Sequence, residues 1–171
     1  TDGAASVLLA SEEWAASRGI PVQAWLTAYQ TAANNFVEGE GLLMAPTIAV
    51  SKLLDRTGLR LQDFDFYEIH EAFAAQVLAT LKAWEDPEYC RRVLGKDQPL
   101  GSIDRSKLNV KGSSIAYGHP FAATGARIMA NLAKLLYEHG GRGLISVCTA
   151  GGMGVAAIME SARAAEMQAA A

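Results

Sequence analysis

The amino-acid sequence predicts an α/β layered domain in which a mixed sheet is flanked by helices. Three observations lead there. Segments with a period of two alternate along the chain with segments of helical period. Residues 143–148 and 155–159 read as two strands flanking a glycine-rich turn, an antiparallel hairpin. The 171 residues, half of them hydrophobic and 19% charged, suffice for one buried core.

Taken in order, Val7-Leu8-Leu9-Ala10 is a short apolar run that meets Ser11-Glu12-Glu13. Ser11 can cap a helix there, the two acids complement its dipole, and Gly19 ends it. Residues 22–29 form a strand candidate leading into a loop with Asn34, Asn35, Phe36, Gly39 and Gly41. Pro46 starts a helix whose Val50, Leu53 and Leu54 share a face, with Gly58 at its C-terminal cap. Residues 64–69 alternate like a strand, and His70-Glu71 follow at once, before a helix marked by Phe73, Val77, Leu81 and Trp84. From 85 to 107 proline, glycine and charge replace periodicity, which predicts a long excursion with one helical turn near 89–94. Pro120 then suits the first turn of a helix with Ile128, Leu132, Leu135 and Leu136 on one face, ending at Gly140-Gly141, so His119 is expected at a helix N-terminus.

Composition excludes several classes. A net charge of −3 with no basic cluster gives no nucleic-acid surface, and the hydrophobic content rules against intrinsic disorder. No apolar run approaches the roughly 18 residues of a membrane span, and Thr1-Asp2-Gly3 has neither the basic start nor the apolar stretch of a signal peptide. Cys90 and Cys148 make no disulfide framework, so a reducing cytoplasm is the expected setting. The Ala-rich tail 162–171 is assigned no role.

Three polar side chains fall where open α/β sheets present their sites: His70 and Cys148 at strand ends and His119 at a helix start. A structural histidine or a buried small thiol remains the plainer reading of each taken singly. Their shared placement, and the glycines Gly112, Gly118, Gly125, Gly151, Gly152 and Gly154 around them, point to a site. A helix start beside His119 favours a neutral imidazole and offers N–H groups to an oxyanion. Cys148 is expected to exchange protons near neutral pH if such neighbours lower its pKa. His70, Glu71, His119 and Cys148 do not show zinc-motif spacing, and no metal is expected.

Four motifs in order resemble the thiolase family and cover almost the whole chain: Asp2-Gly3-Ala4-Ala5, His70-Glu71-Ala72-Phe73-Ala74, residues 112–125 (GSSIAYGHPFAATG) and residues 148–154 (CTAGGMG). Most thiolases have Asn at the position of His70 and many have Leu-Gly in place of Phe121-Ala122. Both variants, together with the excursion 85–108, resemble the β-subunit of fatty-acid-oxidation trifunctional complexes. The resemblance implies a layered thiolase-type C-terminal domain over 1–161 with a mixed five-stranded sheet, and it implies that the half bearing the acylated nucleophile lies outside this sequence. Cys90, in the variable excursion, does not replace that nucleophile.

What the resemblance implies for chemistry is acyl transfer between 3-ketoacyl-CoA and CoA, or the reverse condensation, with CoA and acyl-CoA as substrates and no cofactor. His119 would activate the absent nucleophile, and Cys148 would act as acid and then as base. His70 would serve an oxyanion hole with Glu71 orienting it, Gly152 would lend a backbone N–H, and Phe121 would line the acyl channel. The implied partners are the N-terminal thiolase half, further copies of the enzyme and a hydratase-dehydrogenase subunit. A non-catalytic thiolase-like module for acyl-CoA binding or assembly is the alternative.

Overall fold

The computed structural model describes residues 1–162; the remainder of the Ala-rich tail lies outside the described residues. Its elements run α1 (Glu12–Ser17), β1 (Ala24–Ala33), α2 (Ala45–Thr57), β2 (Phe66–Ile69), α3 (Ala74–Glu85), α4 (Pro87–Tyr89), α5 (Ser114–Tyr117), α6 (Thr124–His139), β3 (Arg142–Thr149) and β4 (Met153–Ser161).

Helix boundaries follow local chemistry. Ser11 Oγ accepts from the Trp14 N–H at 3.2 Å and caps α1. Pro46 lies in the first turn of α2, where its missing N–H costs nothing, and Gly58 ends that helix at φ +69°, a left-handed conformation favouring glycine. Val77, Leu81 and Trp84 form the buried stripe of α3, as their spacing predicts. Phe73 does not join them: it is the extended N-cap residue and its ring is exposed.

The sheet order is β1-β4-β3-β2, with β3 antiparallel to β4 and parallel to β2. Alternation along these strands divides the core. Tyr67, Ile69, Leu144, Ala156 and Ile158 face α2 and α3, where Leu53, Leu81 and Trp84 are buried. Ile145, Ala157 and Met159 face α6, where Ile128, Leu132 and Leu136 pack. The domain is therefore three layers, helices on both faces of a mixed sheet.

Among the described residues the sheet has four strands where five were expected. At the fifth position Leu108 makes a single parallel bridge to Tyr67. Asn109, at φ +47°, does the rest with its side chain as well as its backbone. Its N–H donates to the Tyr67 carbonyl at 2.8 Å, its Oδ1 accepts from the Ile69 N–H at 2.9 Å and its Nδ2 donates to the Ile69 carbonyl at 2.9 Å. One amide side chain stands in for a strand's peptide group, so no further residues are needed to satisfy this edge. The apolar run Val7-Leu8-Leu9-Ala10 joins no strand, and Leu8 and Leu9 are exposed.

The excursion after α3 holds the expected helical turn, formed by α4 and a π turn over Cys90–Leu94. Cys90 is wholly buried there, its thiol donating to the carbonyls of Ala83 and Trp84 at 3.4 and 3.5 Å. It anchors the excursion to α3. Among the described residues no helix is long and apolar enough to cross a membrane.

Candidate active site

The parallel strands β2 and β3 end side by side. His70 follows β2, its backbone N–H donating to the Ser146 carbonyl at 2.9 Å, and Cys148 lies two residues further along β3. The connection between α5 and α6 brings His119 over this edge, its ring centroid 4.3 Å from that of His70. His70 is buried at 2% exposure while His119 is exposed, so the paired rings run from the core to the surface.

His119 does not occupy the expected helix start. Residues 120–123 form turns, and α6 begins only at Thr124, because the chain turns through a left-handed residue, Ala122 at φ +68°. The helix still holds the ring in place. His119 Nδ1 lies 2.6 Å from Thr124 Oγ1, whose hydroxyl donates to the Pro120 carbonyl at 3.4 Å. With the hydroxyl proton on the Pro120 carbonyl, Thr124 accepts from Nδ1–H and Nε2 is left with its lone pair, the form a general base requires.

Ala122 carries a Cβ in a conformation costing a side chain about 1–2 kcal/mol. Ala122→Gly is expected to stabilise the fold by about 1 kcal/mol, read as a higher denaturation midpoint at unchanged slope.

Cys148 is buried at 5% exposure, and burial pushes its thiol above the usual range. The expectation of a lowered pKa is therefore corrected: desolvation dominates and only a weaker backbone hydrogen bond opposes it. The group is a protonated thiol at neutral pH. Opposite Cys148 in the hairpin stands Gly154, where a Cβ would come within 2.5 Å of Pro46 N, so the start of α2 sits directly on the strand beside the thiol. Gly152, at φ +71°, is clamped likewise, its carbonyl accepting from the Asn34 N–H at 2.9 Å. A Cβ there would meet the Asn34 carbonyl oxygen at 2.8 Å. The turn after Cys148 thus has one course.

Glu71 makes no hydrogen bond to the His70 ring. Its carboxylate accepts from Asn109 Nδ2 at 2.8 Å and from the Ile115 N–H at 3.0 Å, tying the sheet edge to the first turn of α5. The partner of His70 is Ser114, with Oγ 3.1 Å from Nδ1. Phe121 is 87% exposed and its ring lies 4.9 Å from that of His119, so it contributes an apolar rim to the site and no core packing.

Sequence reasoning missed Ser114, Thr124, Arg127, Asn109 and Glu68. Glu68 offered a signal, an acid amid the apolar residues of a strand. It is fully buried on the face that carries His70, and burial raises its pKa to about 7. His70 moves the other way, down to about 4, through burial first and then the charges of His119 and Arg127.

The two shifts have opposite stability signs. Between the usual 6.5 and about 4, the unfolded chain protonates His70 and the folded one does not, so this term strengthens with rising pH. Between the usual 4.5 and about 7, the folded chain keeps the Glu68 proton that the unfolded one has lost, so that term weakens with rising pH. Each amounts to roughly 3 kcal/mol, and in the shared window they offset. Glu68→Gln is therefore expected to gain roughly 3 kcal/mol on the wild type as pH rises from 4.5 to 7, measured by denaturant unfolding at both ends.

Known proteins resemble this chain in sequence and in fold. Residues 20–161 match the family described as Thiolase, C-terminal domain. A 3-ketoacyl-CoA thiolase of Yersinia pestis (strain Pestoides F) is 45% identical over 161 residues, spanning 94% of this chain and 36% of the relative. The crystal structure of human mitochondrial 3-ketoacyl-CoA thiolase superposes with a TM-score of 0.67 at 32% identity, covering 89% of this chain and 34% of that one. That of the Bacillus anthracis acetyl-CoA acetyltransferase gives 0.65 at 33% identity, covering 88% and 34%. The chain spans about a third of the length of these relatives. With residues 20–161 matched and the fold shared with these structures, the chain belongs to the thiolase family, of which it carries the C-terminal domain.

Proposed function

We propose that this chain, assembled with the complementary thiolase half, cleaves 3-ketoacyl-CoA with CoA to give acetyl-CoA and a shortened acyl-CoA, or runs the reverse condensation. The observation that carries the reading is the pairing of the His70 and His119 rings beside the ends of β2 and β3, the strand that also carries the buried, protonated thiol of Cys148.

His119 Nε2 takes the proton of the partner half's cysteine thiol, whose sulfur attacks the 3-keto carbon. The C2–C3 bond breaks, its electron pair passes to C2 of the departing acetyl-CoA, and Cys148 protonates that carbon. The thiolate left on Cys148 then takes the proton of incoming CoA. The CoA sulfur attacks the acyl-enzyme thioester, releasing the shortened acyl-CoA and the nucleophile's thiolate, which recovers its proton from His119. His70 and the Gly152 N–H serve the oxygens that gain charge, and Phe121 meets the acyl chain.

The subfamily markers His70 and Phe121-Ala122 support a role in fatty-acid oxidation within an oligomer that includes a hydratase-dehydrogenase subunit. Two free, buried cysteines suit the cytoplasm as compartment. The test is thiolysis of acetoacetyl-CoA and of a long-chain 3-ketoacyl-CoA by the complete protein. CoA-dependent formation of acetyl-CoA is expected. Binding of either substrate without turnover would instead establish the non-catalytic module.

A further inference from the structure

Ser114 Oγ sits between two groups. Arg127 Nη2 donates to it at 3.1 Å, and the Nδ1 of buried His70 lies 3.1 Å away on the other side. A guanidinium can only donate, so one lone pair of the hydroxyl is taken. The hydroxyl proton then needs an acceptor, and among the described residues the one acceptor within reach of Ser114 Oγ is His70 Nδ1. If His70 donated from Nδ1 instead, the oxygen would accept twice and its buried proton would go unbonded, at the desolvation cost such groups carry.

We propose that Arg127, acting through Ser114, sets the tautomer of His70: Arg127 donates to Ser114, Ser114 donates to Nδ1, and the imidazole keeps its proton on Nε2, turned toward the site as a hydrogen-bond donor. The inference rests on the thiolase reading above and deepens it by naming two positioning residues for the oxyanion-hole histidine. It also accounts for a histidine where most of the family has asparagine: an imidazole locked as Nε2–H presents one N–H, as an amide does. The ligand this N–H suits is the oxygen of a thioester or ketone as it becomes an oxyanion. The guanidinium is itself braced, since Arg127 Nη2 also donates to Ser113 Oγ at 3.4 Å and Arg127 stacks over the Tyr117 ring at 5.5 Å.

The test uses the complete protein labelled with 15N in its imidazoles, with His70 assigned by loss of its signals in His70→Asn. Long-range 1H–15N correlations show which ring nitrogen bears hydrogen. The wild type is expected to show Nε2–H. Ser114→Ala and Arg127→Met are expected to populate Nδ1–H and to lower kcat on 3-ketoacyl-CoA by about tenfold or more with little change in KM. Ser114→Thr, which keeps the hydroxyl, is expected to restore both the tautomer and turnover. An Nδ1–H signal in the wild type overturns the proposal, as does an unchanged Nε2–H tautomer in Ser114→Ala, and the second result decides even if Arg127→Met fails to fold. Because the tautomer is read without substrate, absence of thiolysis would overturn the proposed activity and leave this result standing by itself.

Discussion

In the complete protein, Cys148→Ala is expected to lower kcat for thiolysis by roughly 10²–10⁴-fold while the KM for 3-ketoacyl-CoA stays close to that of the wild type. Two proton transfers are assigned to this thiol, and they make different demands on it. Burial favours the protonated form, so donating to the acetyl-CoA carbanion needs no prior ionisation. The costly buried thiolate that this leaves lasts only until CoA returns a proton to it. Cys148→Ser separates the two steps, since an alcohol is a far weaker acid and a slower donor. Rapid mixing should show slower acetyl-CoA release in both variants. Substitution at this position should not disturb the fold, because the neighbouring course of the chain is fixed by Gly152 and Gly154 against Asn34 and Pro46. A Cys148→Ala enzyme with unimpaired turnover would remove the cysteine from the mechanism.

His119→Ala is expected to cost about as much, at a different step. In the proposed mechanism its Nε2 is the base for the nucleophile, so acylation should slow by about 10²–10⁴-fold. Iodoacetamide labelling of that nucleophile at neutral pH should slow in parallel, because the thiolate fraction sets its reactivity. The same label should react at the wild-type rate in Cys148→Ala. A nucleophile that stays equally reactive without His119 would show that its activation comes from elsewhere. Thr124→Val offers a graded version: it keeps the shape and removes the oxygen that holds Nδ1, so a partial loss is expected.

Much of this architecture was legible in the sequence because periodicity reports burial directly. Val50, Leu53 and Leu54 on α2, and Ile128, Leu132, Leu135 and Leu136 on α6, lie where their spacing puts them, against opposite faces of the sheet. The strand-end positions of His70 and Cys148 were equally readable. What spacing does not encode is the contact between segments far apart in the chain. Glu71 was expected to orient His70, which it adjoins in sequence, yet the bond to the ring comes from Ser114, 44 residues on. Cys148 was read from the helix start and N–H groups expected near it, whereas burial determines its ionisation. His119 was placed on a helix because Pro120 suits a first turn; the left-handed Ala122 delays that helix to Thr124. The fifth strand was expected from the family resemblance alone; at its place stand the Leu108 bridge and the Asn109 side chain.

That asparagine bears on how the domain meets other polypeptides. A sheet edge is a template for strand addition as long as its outward N–H and C=O groups are unclaimed. On β2 the Tyr67 carbonyl and both outward groups of Ile69 are already bonded to Asn109. An incoming strand would have to displace a buried amide that also grips Glu71. The edge of β2, beside the paired histidines, is therefore closed to augmentation, and within this domain the other lateral edge of the sheet is that of β1.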